Sequence, residues 1–175
     1  MPPALERRAR VTVVADADVI CDGLSAAVTA VLRGQPWAIP HHAVHRLTAQ
    51  ATNQLLAGDD PAGLPVEQDA YRGVTGGGIT VLSIDALETV PMDPRFVGWG
   101  QEDEAWGVAL QTMLGRPWRG LDPLYHLWHP PQPRRTRKMG NPKGEALRRR
   151  YALAARRKPE MKALLAEVPC LSPCS

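Results

Sequence analysis

The chain has 175 residues, a hydrophobic fraction of 44% and a charged fraction of 22%, proportions that exclude disorder, collagen and coiled coil as whole-chain states. Its 15 glycines and 17 prolines mean that nearly one residue in five interrupts regular structure. The net charge of +3 conceals a division: residues 131–162 hold twelve Lys or Arg against two Glu, a local +10 that leaves −7 for the rest.

The first ten residues, MPPALERRAR, lack the apolar stretch of a signal peptide. No apolar run approaches the roughly 20 residues of a membrane-spanning helix. Three cysteines (Cys21, Cys170 and Cys174) are too few for a disulfide framework and suit a reducing compartment. The expectation is a soluble, cytoplasmic protein.

Residues 11–15 (VTVVA) form a short β-branched run that predicts a buried strand ending at Asp16. Asp22 is placed to cap a helix carrying Leu24, Ala27, Val28, Val31 and Leu32 on one face, stopped by Gly34 and Pro36. A second helix is predicted over 44–57, from Val44, Leu47, Ala51 and Leu55. A loop rich in Gly, Pro and Asp covers 58–76, and Gly76–Gly78 open a strand, ITVLSI. Asp85 and Glu88 have capping-box spacing for a short helix.

The strongest helix lies over 100–115, with Trp106, Ala109, Leu110, Met113 and Leu114 on one face. The following LYHLWHPPQP is too proline-rich for regular structure. Two helices are expected in the basic tail, near 144–157 and 159–168, the second with Met161, Leu164, Leu165 and Val168 on its apolar face. The fold class is α/β, a mixed sheet with flanking helices and few strands, and the chain divides into 1–130 and a basic helical tail, 131–175.

Three places carry chemistry. Asp16 and Asp18 stand two apart at a strand terminus, where both carboxylates reach one point beyond the sheet edge; such hard oxygens suit Mg²⁺ or Mn²⁺. Gly98-Trp99-Gly100-Gln101-Glu102-Asp103-Glu104 opens the strongest helix; the glycines admit a ligand close to the backbone, and an ionised Asp or Glu there can act as a general base. Tyr125-His126-Leu127-Trp128-His129 offers two histidines three apart, one of them a metal ligand. A rival cluster, His41, His42 and His45, has no carboxylate nearby in sequence and reads as a surface feature.

In this order and spacing the motifs resemble those of GT-A glycosyltransferases. The segment TGGGITVLSIDALETVPMDPRFVGWGQEDEAWGVALQTMLGRPW (75–118) is similar to the C-terminal half of the catalytic domain of the β-1,4-galactosyltransferase family and its bacterial and phage relatives. That family has a DxD, a Gly-Gly strand, a Gly-Trp-Gly-Gly-Glu-Asp motif and a downstream histidine. The resemblance implies a partial GT-A, nucleotide-diphospho-sugar transferase-like fold over 1–130. It implies a hexose or N-acetylhexosamine moved from a nucleotide sugar, a UDP-sugar, to a carbohydrate or glycoconjugate acceptor with Mn²⁺ or Mg²⁺.

By the same resemblance Asp16 and Asp18 would hold the metal with His126 or His129, the Tyr-His pair inclining the choice to His126. Gly76, Gly77, Gly78, Trp99 and Gly100 would line the donor and acceptor sites. Glu102 would bind the acceptor, and Asp103 would deprotonate its hydroxyl. Gln101 departs from the motif's second glycine. The family's nucleotide-binding βαβ units normally precede the DxD, and only fifteen residues precede Asp16 here; a fragment, or a partner supplying that half, is the expectation.

Other readings remain open. VVADADVI also fits the haloacid-dehalogenase phosphatase pattern, with Asp16 as nucleophile and Asp18 as acid/base. The basic tail suits an anionic surface or nucleic acid, as in a binding protein or an inactive transferase remnant. A solvated helix face docked by its few apolar positions is the alternative for that tail.

Overall fold

The computed structural model describes residues 10–73, 75–98, 100–130 and 141–169. It is a mixed α/β structure: a five-stranded sheet with six helices. In chain order the elements are β1 (Val11–Ala15), β2 (Val19–Ile20), α1 (Leu24–Leu32), β3 (Trp37–Arg46), α2 (Ala49–Leu56), β4 (Ile79–Ser83), α3 (Ile84–Thr89), α4 (Glu102–Leu114), β5 (Trp118–His126), α5 (Pro142–Ala154) and α6 (Lys158–Leu165).

The strand order is β1-β4-β3-β5-β2. β4 pairs antiparallel with β1, placing Ala15 opposite Ile79, and antiparallel with β3. β3 and β5 run parallel, from Ala38 opposite Trp118 to Arg46 opposite His126. β2 pairs antiparallel with the end of β5, Val19 opposite His126. These pairings bring the ends of β1 and β5 and the starts of β2 and β4 into one region.

Both faces of the central strands are covered, and their side chains alternate between two cores as strand geometry requires. Trp37, Ile39 and Leu82 join Trp106, Leu110, Leu147, Tyr151, Met161 and Leu164 in the core built by α3 to α6. Ala38, Ile79, Val81 and Leu124 join Ala27 and Val31 of α1 on the opposite face. Full burial of side chains such as Leu110 and Met161 stabilises by about 1.5–3 kcal/mol each. The indole N–H of Trp37 donates to Gly115 O at 3.0 Å, joining the start of β3 to the end of α4.

The helices expected in the basic tail pack onto this core. Asn141 caps α5 by accepting from Lys143 N–H at 3.0 Å, with Pro142 in the first turn. Leu147, Tyr151 and Ala154 of α5 are buried, as are Met161 and Leu164 of α6, while the arginines stay largely at the surface.

Several local expectations are corrected. The segment 37–46 is a ten-residue strand, so the helix expected over 44–57 begins only at Ala49, where the Thr48 hydroxyl accepts from Ala51 N–H. Leu124, Tyr125 and His126 lie in β5, not in an irregular stretch, because the pairing with β3 tolerates Pro123 at a register shift. α1 starts after Gly23 with no side-chain cap from Asp22. α3 is capped by Ser83, whose hydroxyl accepts from Ala86 N–H, rather than by Asp85. No helix among the described residues is long and apolar enough to cross a membrane.

Candidate metal centre and acidic helix start

β1 hands the chain to the site through a reciprocal pair of bonds. Asp16 N–H donates to Gly78 O at 2.9 Å, and the Asp16 carboxylate accepts from Gly78 N–H at 3.1 Å. The turn that follows is tied to the end of β5, since Leu127 N–H donates to Asp18 O at 2.8 Å. The short β2 then continues alongside Tyr125 and His126.

This arrangement collects three ligand atoms. His129 Nε2 lies 3.2 Å and His126 Nε2 3.8 Å from Asp18 Oδ2, and all three atoms fall within 4.8 Å of one another. The side chains are 32% (Asp18), 13% (His126) and 38% (His129) exposed, so one side of the cluster is open to an incoming ligand. His126 Nδ1 lies 2.8 Å from Leu127 O, and His129 Nδ1 2.9 Å from Pro130 O. A carbonyl oxygen only accepts, so these contacts hold when Nδ1 carries a proton; in a neutral ring that leaves the Nε2 lone pair free to bind a cation beside Asp18. Backbone carbonyls thus orient both rings, as outer partners do for metal-bound histidines.

The sequence leaves a choice between His126 and His129; the structure sets both at Asp18. Asp16 stands apart from this trio and faces Gly78 and Asp103. Two imidazoles and a carboxylate form a mixed nitrogen–oxygen set, which suits a transition-metal dication better than Mg²⁺, whose preferred shell is all oxygen.

The second group sits on the first turn of α4. A Cβ on Gly76 would collide with Asp103 O, one on Gly107 with Thr75 O, and one on Gly77 would meet Asp103 Oδ2 at 3.2 Å. Only glycine lets this loop and helix approach so closely. Burial first, then the neighbouring Glu102 and Asp16 charges, push the Asp103 carboxyl up to about 7. An acid held there exchanges a proton near neutral pH.

Glu102 faces elsewhere. It lines a small pocket with Met92, Phe96, Trp106 and Tyr151, and its Oε2 is buried with no hydrogen-bond partner among the described residues. Beside it Asp93 accepts from Arg95 at 2.7 Å and from Tyr151 Oη–H at 2.9 Å. Burial disfavours the Asp93 carboxylate, but the Arg95 and Tyr151 hydrogen bonds outweigh it and hold its pKa below the usual range. Gly98 and Gly100 both have positive φ, 92° and 94°. Trp99, expected over the substrate, lies outside the described residues.

The sequence reading of His41 is corrected. It is 1% exposed, not a surface residue, because β3 carries it into the interior beside Gly78. Burial, then the nearby Arg119 and His42 charges, lowers it to about 4, and neither ring nitrogen has a partner among the described residues. No local pattern revealed it, because residues 37–41 are all buried and a register shift falls between Ile39 and His41.

Comparison with family models, curated proteins and solved structures finds no match for this chain.

Proposed function

We propose that this chain is a metal-assisted glycosyltransferase of the GT-A kind, or the acceptor-side part of one, acting in the cytoplasm on a nucleotide-sugar donor and a carbohydrate acceptor. One observation carries the reading. Asp18, from the end of the first strand, meets His126 and His129 from the end of the last, around a space suited to one cation. Asp103 stands on the adjoining side, near Asp16. Motifs more than a hundred residues apart converge here, and that convergence supports the reading, with Asp18 alone of the DxD pair in the cluster.

In this reading Asp18, His126 and His129 hold a divalent cation, Mn²⁺ as the transferase resemblance implies. When bound, it neutralises charge on the departing diphosphate, a Lewis-acid contribution. Asp16, anchored by Gly78 N–H, supports the same region. Asp103 accepts the acceptor hydroxyl proton as that oxygen bonds to the anomeric carbon. The bond from that carbon to the diphosphate breaks, and the diphosphate leaves with the electron pair. A pKa of about 7 suits this base, since proton transfer is most effective near the working pH. Glu102 turns its buried Oε2 into a cavity of about 10 Å³ beside Phe96 and Trp106, room for one water and not for a sugar, so the reading gives it no acceptor contact.

The phosphatase alternative has less support, because that pattern needs a lysine in the domain and the first lysine of the chain is Lys138. Calorimetry of UDP-sugar binding with and without Mn²⁺ tests the proposal. Binding that requires Mn²⁺ and disappears in Asp18→Ala supports it; no binding at millimolar donor overturns it for this chain.

A further inference from the structure

α4 begins on a backbone conformation that its residue does not favour. Gln101 is left-handed, with φ 80° and ψ −22°, and no side-chain hydrogen bond caps the helix there. Glycine adopts this region freely, whereas a residue with a Cβ is strained. Something must therefore hold Gln101 in place.

The restraint comes from the first turn of α5. Gln101 Nε2 donates to Glu145 Oε2 at 3.0 Å. Its Oε1 is buried against Gly144, where a Cβ would stand only 2.7 Å away. Four residues earlier, Val97 O accepts from Asn141 Nδ2 at 3.0 Å. Both ends of the turn that leads into α4 are thus tied to one short stretch of α5.

Glu145 is itself firmly placed. It accepts from Arg148 at 2.8 and 2.9 Å and from Arg149 at 3.0 Å, and these arginines lower it to about 2. Arg148 reaches on to Glu104 at 2.8 Å, so a second strand of the network returns to the first turn of α4.

We infer that Glu145 and Asn141 are positioning residues, which hold the left-handed turn at Gln101 and so aim Asp103 toward Gly77 and Asp16. The inference rests on the transferase reading for its effect on rate, but not for its effect on the turn. The glutamine that departs from the glycine of the resembled motif is then half of a compensating pair whose other half is Glu145.

Hydrogen exchange of the full chain, followed at the amides of residues 97–103, tests it alongside steady-state turnover of a UDP-sugar. In Glu145→Ala these amides should exchange about tenfold faster, while those of β3 and β4 stay unchanged. Glu145→Gln retains an acceptor oxygen for Gln101 and should stay within about twofold of the parent. Gln101→Gly/Glu145→Ala should recover slow exchange, since glycine needs no restraint at that turn. Asn141→Ser keeps a capping hydroxyl and loses the donor to Val97, so faster exchange should be confined to the start of the turn.

The kcat should fall about tenfold in Glu145→Ala with donor KM unchanged, and return in the double variant. Mn²⁺ binding, titrated with the metal alone, should be the same throughout. Unchanged exchange in Glu145→Ala, or a double variant no better than Glu145→Ala, overturns the inference. Exchange that shifts as expected in a chain that turns over no UDP-sugar supports the restraint and removes the transferase reading.

Discussion

At Asp18, His126 and His129 each ligand is set by main-chain hydrogen bonds of the sheet and its margins. Asp103, by contrast, takes its position from helix packing, and from α5 through Gln101. The first corner draws on strands distant in sequence but directly bonded to one another. The second draws on the basic C-terminal helices, which pack against α4. Cation affinity and proton transfer should therefore respond to different substitutions, and each corner can be disturbed while the other is read.

The largest separation is expected from Asp103→Asn, which should lower kcat by about 10²–10⁴-fold with Mn²⁺ affinity unchanged, by steady-state kinetics and calorimetry. Asp18→Ala should do the reverse at the metal: at a cation concentration a hundredfold above the parent Kd, about 2.7 kcal/mol of Mn²⁺-dependent stabilisation disappears from denaturant titrations. If that variant is stabilised as much as the parent, the trio is not the cation site.

Met161→Ala should cost about 2–5 kcal/mol, because this side chain is fully buried against the α4–α5 core. Below the unfolding transition its Mn²⁺ affinity should match the parent's. A large loss of Mn²⁺ affinity in the folded variant would mean that the corners are not independent.

The Asp103 proton adds a pH-dependent contrast. Its folded pKa, about 7, lies above its ordinary value of 3.8, so between these pH values the native state binds a proton that the unfolded chain has lost. Stability from this group is present below about pH 4 and falls as pH rises through 7, while the ionised base, and hence the rate, increases over the upper part of that window. Asp103→Asn should be more stable than the parent at pH 8, with the gap closing toward pH 4 in denaturant midpoints. A constant gap would contradict the burial of this carboxyl. The smallest effect belongs to Glu167→Gln, whose solvent-screened pairs with Arg95 and Arg150 should leave the thermal midpoint nearly unchanged even at low salt.

Much of this contrast was legible in the sequence, unevenly. β1 as a strand, the core of β4 and the buried face of α4 followed from local periodicity, and so did the apolar face of α6. But β1 is not the buried strand expected: it lies at the sheet edge with Val13 42% exposed. β3 did not, because Val44 and Leu47 are spaced as on a helix and Pro40 and the histidine pair interrupt strand alternation. β5 was hidden by Gly120 and Pro123; its parallel pairing with β3 joins segments some eighty residues apart, which no local pattern records. Asp16, Asp18, His126, His129, Glu102 and Asp103 were readable as candidates. The meeting of both histidines at Asp18, the separate direction of Glu102 and the role of Glu145 depend on tertiary contacts.

The close seating of Thr75, Gly76 and Gly77 against Asp103 and Gly107 has a mechanical consequence. Without a methyl group's width of slack, a side chain added at Gly76 or Gly107 would have to part the loop from the head of α4, displacing Asp103 while the Asp18 cluster stays where β2 and β5 hold it.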